Sequence, residues 1–196
     1  MKIWHVDKKQ TQEDEMIDIK AALFDLDGVI VDTAKYHYLA WKRLADELGF
    51  NFTKEDNEKL KGVSRRGSLE RLLEIGKMSF DEETMEKLAE KKSTWYVEYI
   101  SKMDESEILP GAKEFILRLR NEGVKTALGS ASKNTPLILE KLGIRDLFDV
   151  VVDGNMVSKT KPDPEVFLKC AELLNVKPEN CIVYEDAEAG VIAAKT

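Results

Sequence analysis

Two carboxylates, Asp25 and Asp27, stand one residue apart, directly after the apolar run Ala21-Ala22-Leu23-Phe24 and just before Gly28. A run that short and that apolar reads as a strand buried on both faces of a parallel sheet. Such a strand carries the residues directly after it to its C-terminal tip, where open α/β sheets bind ligands. Crowding two acids there is costly unless a cation or a reaction needs them.

Three other segments carry complementary groups at equivalent places. Ser130 lies in Gly129-Ser130-Ala131-Ser132-Lys133-Asn134, Lys161 in Lys161-Pro162-Asp163-Pro164, and Glu185-Asp186 ends a further apolar run. Brought to one crevice, four acids, a hydroxyl and a lysine suit a hard, oxygen-bound cation together with a phosphoryl group. Magnesium would take a carboxylate from each of two strands and screen the acids from one another. Ser130 and Lys161 would then cradle the phosphoryl oxygens.

The elements that must position these groups emerge from the pattern. The first strand is expected from about Lys20 to Asp25. Apolar residues at Tyr38, Leu39, Trp41, Leu44, Ala45 and Leu48 recur at helical spacing across Ala34 to Leu48, and Gly49 ends that helix. Helical patterns continue at Lys54–Leu60, Arg65–Ile75 and Asp81–Ser101, with no convincing strand between Asp32 and Leu109. After Pro110-Gly111 the texture changes. Helices at Ala112–Asn121, Asn134–Leu142 and Pro164–Leu174 alternate with strands at Lys125–Gly129, Phe148–Val152 and Cys181–Glu185, which predicts a parallel, doubly wound sheet. The fold class is therefore α/β, a Rossmann-like core with an inserted all-helical cap. The boundaries are an N-terminal extension at 1–18, a core at 19–33 and 108–196, and a cap at 34–107.

Composition sets limits on partners. The 196 residues are 43% hydrophobic and 34% charged, ordinary values for a soluble globular protein. A net charge of −7 argues against nucleic acid and anionic membranes as partners. No apolar stretch reaches membrane-spanning length, and Met1 to Lys20 lacks the apolar core of a secretion signal. Cys170 and Cys181 have no metal-ligand spacing and are expected to be buried, reduced thiols of a cytoplasmic protein.

Asp25-x-Asp27-Gly28-Val29 with Thr33, then Ser130, Lys161-Pro162 and Glu185-Asp186, resembles the four-motif set of the haloacid dehalogenase superfamily. The resemblance runs from about Lys20 to the C-terminus. It implies that Asp25 is the nucleophile, forming an aspartyl-phosphate. It makes Asp27 the general acid/base and places Asp25, Asp27, Glu185 and Asp186 around Mg2+. Thr33 has two roles open to it: cap of the following helix, or part of a hinge near Asp27.

The cap is similar to that of the superfamily's β-hexose phosphomutases, through His37 and Trp41 and the run Leu60-Lys61-Gly62-Val63-Ser64-Arg65. That likeness implies the interconversion of β-D-glucose 1-phosphate and glucose 6-phosphate through a bisphosphate, with cap movement excluding water. Arg65, Ser132 and Asn134 would clamp the distal phosphate, a guanidinium fork being suited to that geometry. Gly62, Val63 and Ser64 would offer backbone donors to the sugar, with Ser68, Lys92, Ala131 and Lys133 completing the substrate set. Taken alone, His37 reads as a packed or solvated histidine, Trp41 as core, and Lys92 in Glu90-Lys91-Lys92 as part of a solvated helix face. A sugar-phosphate phosphatase shares the core motifs, and a non-catalytic phosphosugar-binding relative is the reading of another class.

Superfamily members continue through another strand and helix beyond Ala193-Ala194-Lys195-Thr196, so the sheet is expected to lack an edge strand. A monomer binding a small phosphosugar is expected, with that edge a route to self-association. Residues around Ile3–Val6 are an alternative cover for it.

Overall fold

The computed structural model describes residues 18–60 and 63–196. The expectations placed on residues 1–17, and on Lys61 and Gly62, lie outside the described residues.

The described chain divides into two compact units, one comprising the residues up to Asp32 with Met103–Thr196 and the other Thr33–Lys102. In the first, strands β1 (Ala21–Phe24), β2 (Lys125–Gly129), β3 (Val150–Val152) and β4 (Cys181–Tyr184) form one sheet in the order β3-β2-β1-β4. All pairings are parallel, with Phe24 level with Leu128 on one side and Tyr184 on the other. Among the described residues β3 and β4 are the sheet's edges.

β1 is apolar throughout because both of its faces are covered. Ala21 and Leu23 join Ala127, Val152, Val166, Phe167, Cys170 and Leu174 in one core layer. Phe24 points the other way, stacked on Tyr184 at 4.8 Å and edge-on to Phe115 at 6.3 Å and Phe148 at 6.1 Å. Helices of the same unit cover those faces, in the long crossovers that parallel strands need.

The second unit is helical: α1 (Ala34–Glu47), α2 (Lys54–Glu58), α3 (Arg65–Gly76) and α4 (Glu82–Ile100). Thr53 and Asp56 form a reciprocal capping box on α2, and Asp81 caps α4 through the Thr84 N–H. Trp41, Leu44 and Ala45 of α1 and Met85, Trp95, Tyr96 and Ile100 of α4 are among its buried residues. The helices of the sheet unit are α5 (Ala112–Asn121), α6 (Thr135–Leu142), α7 (Glu165–Leu174) and α8 (Glu188–Lys195).

Two expectations need correction. Cys181 is only half-buried, because it opens the edge strand β4, whereas Cys170 is fully buried. The third strand is shorter than Phe148–Val152, since Arg145–Leu147 forms a 3-10 turn that carries the chain through Phe148. Among the described residues no helix is long and apolar enough to cross a membrane.

Candidate active site

The tips of β1 and β4 lie side by side. The Asp25 N–H donates to the Tyr184 carbonyl at 2.9 Å, which prolongs the ladder by one residue and sets Asp25 level with Glu185. Both acids are buried. Lys161, 136 residues along the chain from Asp25, donates to Asp25 Oδ1 at 2.7 Å and to Glu185 Oε2 at 2.6 Å. Carboxylate oxygens of Asp25, Glu185 and Asp186 lie within 4.8 Å of one another.

The chain leaves β1 through a tight turn in which Leu26 O accepts from both Ile30 N and Val31 N, and Gly28 N donates to Val31 O at 2.8 Å. Gly28 has φ +74°, and a Cβ there would sit 2.1 Å from Asp186 Oδ2. Only glycine therefore allows the turn to pass so close to that carboxylate. Asp27 lies in this turn, partly exposed, outside the three-acid set. Gly190 plays the equivalent part for Glu185: a Cβ there would meet its carboxyl group at 2.0 Å.

Charge is unevenly balanced. Burial pushes the Asp25 carboxyl up to about 7; the Lys161 ammonium pulls it down and Glu185 adds to the rise. Burial works against the Lys161 charge too, but Asp25 and Glu185 outweigh it and hold the amine above its ordinary range. One ammonium against three carboxylates leaves an excess of negative charge on hard oxygen donors, which fits a divalent cation such as Mg2+.

On the other side of β1, Ser130 follows β2 and is buried, its N–H bonded to Val152 O at 3.0 Å. The loop behind it is internally tied. Ser130 Oγ accepts from Ser132 N at 3.1 Å, and Ser132 Oγ accepts from Asn134 N at 3.2 Å. Gly154 closes it from beneath, where a Cβ would lie 2.1 Å from the Ala131 carbonyl oxygen. Ala131 is exposed on this loop and Lys133 is exposed with it.

The helical unit gathers a second set. Lys92 is 3% exposed, so the solvated helix face is not its setting. Its Nζ lies 2.8 Å from His37 Nδ1, 4.6 Å from the Trp41 ring centre and 5.0 Å from that of Tyr96, which stacks on His37 at 4.1 Å. Burial and the neighbouring Arg65 push Lys92 down to about 7. Burial, then Lys92, pushes His37 down to about 3, so the imidazole is neutral and the tautomer with a bare Nδ1 is the one that accepts from a Lys92 ammonium.

Arg65 is exposed at the start of α3 and bonds Ser93 Oγ at 2.9 Å, whereas Arg66 is engaged by Glu70 and Glu82. Ser64 caps α3 through the Gly67 N–H, Ser68 is buried beneath Val63 O, and Leu60 is buried. Thr33 occupies the position before α1 without capping it through its side chain. Glu165, Gly154 and Gly190 are parts of the site's framework that sequence reasoning missed. The only signal for the glycines is their type, and that for Glu165 is an acid in a helix's first turn.

A sequence profile of the haloacid dehalogenase-like hydrolases matches residues 19–196. The chain belongs to that family. This haloacid dehalogenase-like chain is 43% identical over 180 residues to the β-phosphoglucomutase of Bacillus subtilis (strain 168), covering 91% of this chain and 80% of that protein. It is 32% identical over 181 residues to a phosphorylated carbohydrates phosphatase of Thermotoga maritima, covering 91% and 81%. A crystal structure of β-phosphoglucomutase from Clostridium difficile superposes with a TM-score of 0.78 at 47% identity, covering 90% of this chain and 80% of that one. These likenesses support a phosphoryl-transfer enzyme, either a phosphoglucomutase or a sugar-phosphate phosphatase of the family.

Proposed function

We propose that this chain interconverts β-D-glucose 1-phosphate and glucose 6-phosphate by way of an aspartyl-phosphate on Asp25 and β-glucose 1,6-bisphosphate. The observation that carries the reading is the buried Asp25 carboxylate, level with Glu185 and gripped by Lys161 at 2.7 Å. A nucleophile needs its lone pair at the strand tip and a cation to keep it ionised against burial.

In this reading phosphorylated Asp25 gives its phosphoryl group to the 6-hydroxyl of β-glucose 1-phosphate, making the bisphosphate, and the freed Asp25 oxygen then attacks the phosphorus at O1, taking that phosphoryl group and releasing glucose 6-phosphate. Asp27 takes the proton from the 6-hydroxyl in the first transfer and gives it to the departing O1 oxygen in the second. Lys161 and the Ser130 hydroxyl bear on the phosphoryl oxygens. Mg2+, held by Asp25, Glu185 and Asp186 with Asp27 at hand, would supply the positive charge that lets an anionic nucleophile approach an anionic phosphate. In the same reading Arg65, Ser132 and Asn134 would clamp the distal phosphate, and His37, Trp41, Ser68 and Lys92 would belong to the substrate set. The higher identity to the Bacillus mutase than to the Thermotoga phosphatase favours transfer to sugar over transfer to water.

The test supplies β-glucose 1-phosphate, Mg2+ and a trace of the bisphosphate, and tracks glucose 6-phosphate and free phosphate together. Glucose 6-phosphate without matching phosphate release is expected. Phosphate without the isomerised sugar makes the chain a phosphatase, and neither product overturns both readings.

A further inference from the structure

Lys161 reaches the acid cluster from an irregular segment between β3 and α7, with no strand or helix of its own to hold it. The side chain with most bonds to that segment is Glu165. The Glu165 carboxylate, in the first turn of α7, accepts from Ser158 N at 3.1 and 3.0 Å, from Ser158 Oγ at 3.2 and 3.1 Å, and from Lys159 N at 2.6 Å. Asp163 tightens the same loop, its Oδ1 accepting from Glu165 N at 3.0 Å and its Oδ2 pairing with Lys159 Nζ at 3.1 Å. The helix behind Glu165 is firmly seated, because Val166, Phe167, Cys170 and Leu174 are buried against β1, β2 and β3. The Lys161 ammonium itself rests 4.7 Å from the centre of the Phe167 ring.

From these contacts we infer that Glu165 is a positioning residue: it anchors the backbone two and three residues ahead of Lys161 to α7 and so holds Lys161 between Asp25 and Glu185. The bonds to two successive backbone N–H groups keep its carboxyl below the usual carboxylate range. An acid in a helix's first turn also favours the helix dipole, which is the plainer explanation of its presence. The two roles separate chemically. Glu165→Asp keeps the charge on the first turn but shortens the reach by one methylene. Glu165→Gln keeps the length but turns an N–H2 toward donors that need an acceptor.

The placement of Lys161 stands independently of the reaction; its effect on turnover rests on the mutase reading. The experiment therefore measures both. The Lys161 ammonium, assigned by its loss in Lys161→Ala, is monitored by 1H–15N NMR in Glu165→Gln and Glu165→Asp, with melting temperature and steady-state kinetics alongside. Where that resonance exchanges too fast to observe, the Nζ distances to Asp25 and Glu185 in a crystal structure of Glu165→Gln decide the same question. We expect both variants to shift or broaden the signal and to lower kcat about tenfold or more at nearly unchanged KM, as small displacements of a catalytic group do.

An unperturbed Lys161 in both variants overturns the inference. So does a perturbation in Glu165→Gln alone, since that leaves only the helix-dipole role, or one that spreads equally through β4 and α7. A displaced Lys161 in a chain whose wild type shows no turnover upholds the positioning role and removes the mutase reading instead.

Discussion

Asp25→Asn should change how stability depends on pH, and the structure sets the size of the change. In the unfolded chain the carboxyl titrates near 3.8; in the fold, burial moves it to about 7. The folded protein thus keeps a proton that the unfolded chain has lost, so stability falls as pH rises between those values and levels off above the upper one. A difference of about 3 units at roughly 1.4 kcal/mol each makes the full loss about 4 kcal/mol, of which roughly 2 to 3 kcal/mol falls between about pH 5 and pH 8. Asparagine cannot titrate, and its carbonyl oxygen still offers Lys161 an acceptor. Urea denaturation of both proteins across that range, with a chelator present, should show the wild type losing stability relative to Asp25→Asn by that amount. Adding Mg2+ at the alkaline end should restore the wild type more than the variant, because ligand binding to the folded state alone stabilises it. Parallel stability curves for the two proteins would refute the reasoning, since they would mean that Lys161 offsets the whole cost of burying the Asp25 charge.

Other substitutions probe other parts of the structure. Gly28→Ala must either strain a φ of +74° or push Asp186 aside, so Mg2+ affinity by calorimetry should fall about tenfold or more while far-UV circular dichroism stays unchanged. Phe24→Ala removes the ring that Tyr184, Phe115 and Phe148 pack around and should cost about 3 to 5 kcal/mol in denaturant unfolding. For Lys92 the sign is reversed. A buried amine at about 7 binds fewer protons than the unfolded chain up to about 10.5, so wild-type stability should rise with pH across that window, and Lys92→Met should abolish the rise.

Much of the fold and site was legible because local pattern and long-range order agreed. The unbroken apolar run Ala21–Phe24 could only be a strand covered on both faces, and acids directly after it could only stand at the tip. Lys161 and Glu185 became partners of Asp25 once alternation of strands and helices implied a parallel sheet, although the distances between them belong to the fold. Lys92 was illegible for the opposite reason. Glu90-Lys91-Lys92 has the local look of a wet face, and only the packing of α1 on α4 shows that Lys92 turns toward His37, Trp41 and Tyr96. Glu165 was hidden too, since nothing local distinguishes an acid that serves a helix terminus from one that reaches back to a loop. The half-exposed Cys181 reflects the position of β4 in the sheet, which strand composition alone does not encode.

The central claim is that Asp25 carries the phosphoryl group in transit. Rapid acid quench during turnover of β-glucose 1-phosphate, coupled to tandem mass spectrometry, reads it directly. Phosphate is expected on the peptide spanning Asp25, localised to that side chain and absent from Asp25→Asn, which should also be inactive. Undiminished turnover by Asp25→Asn, or phosphate trapped on a different residue, would contradict it.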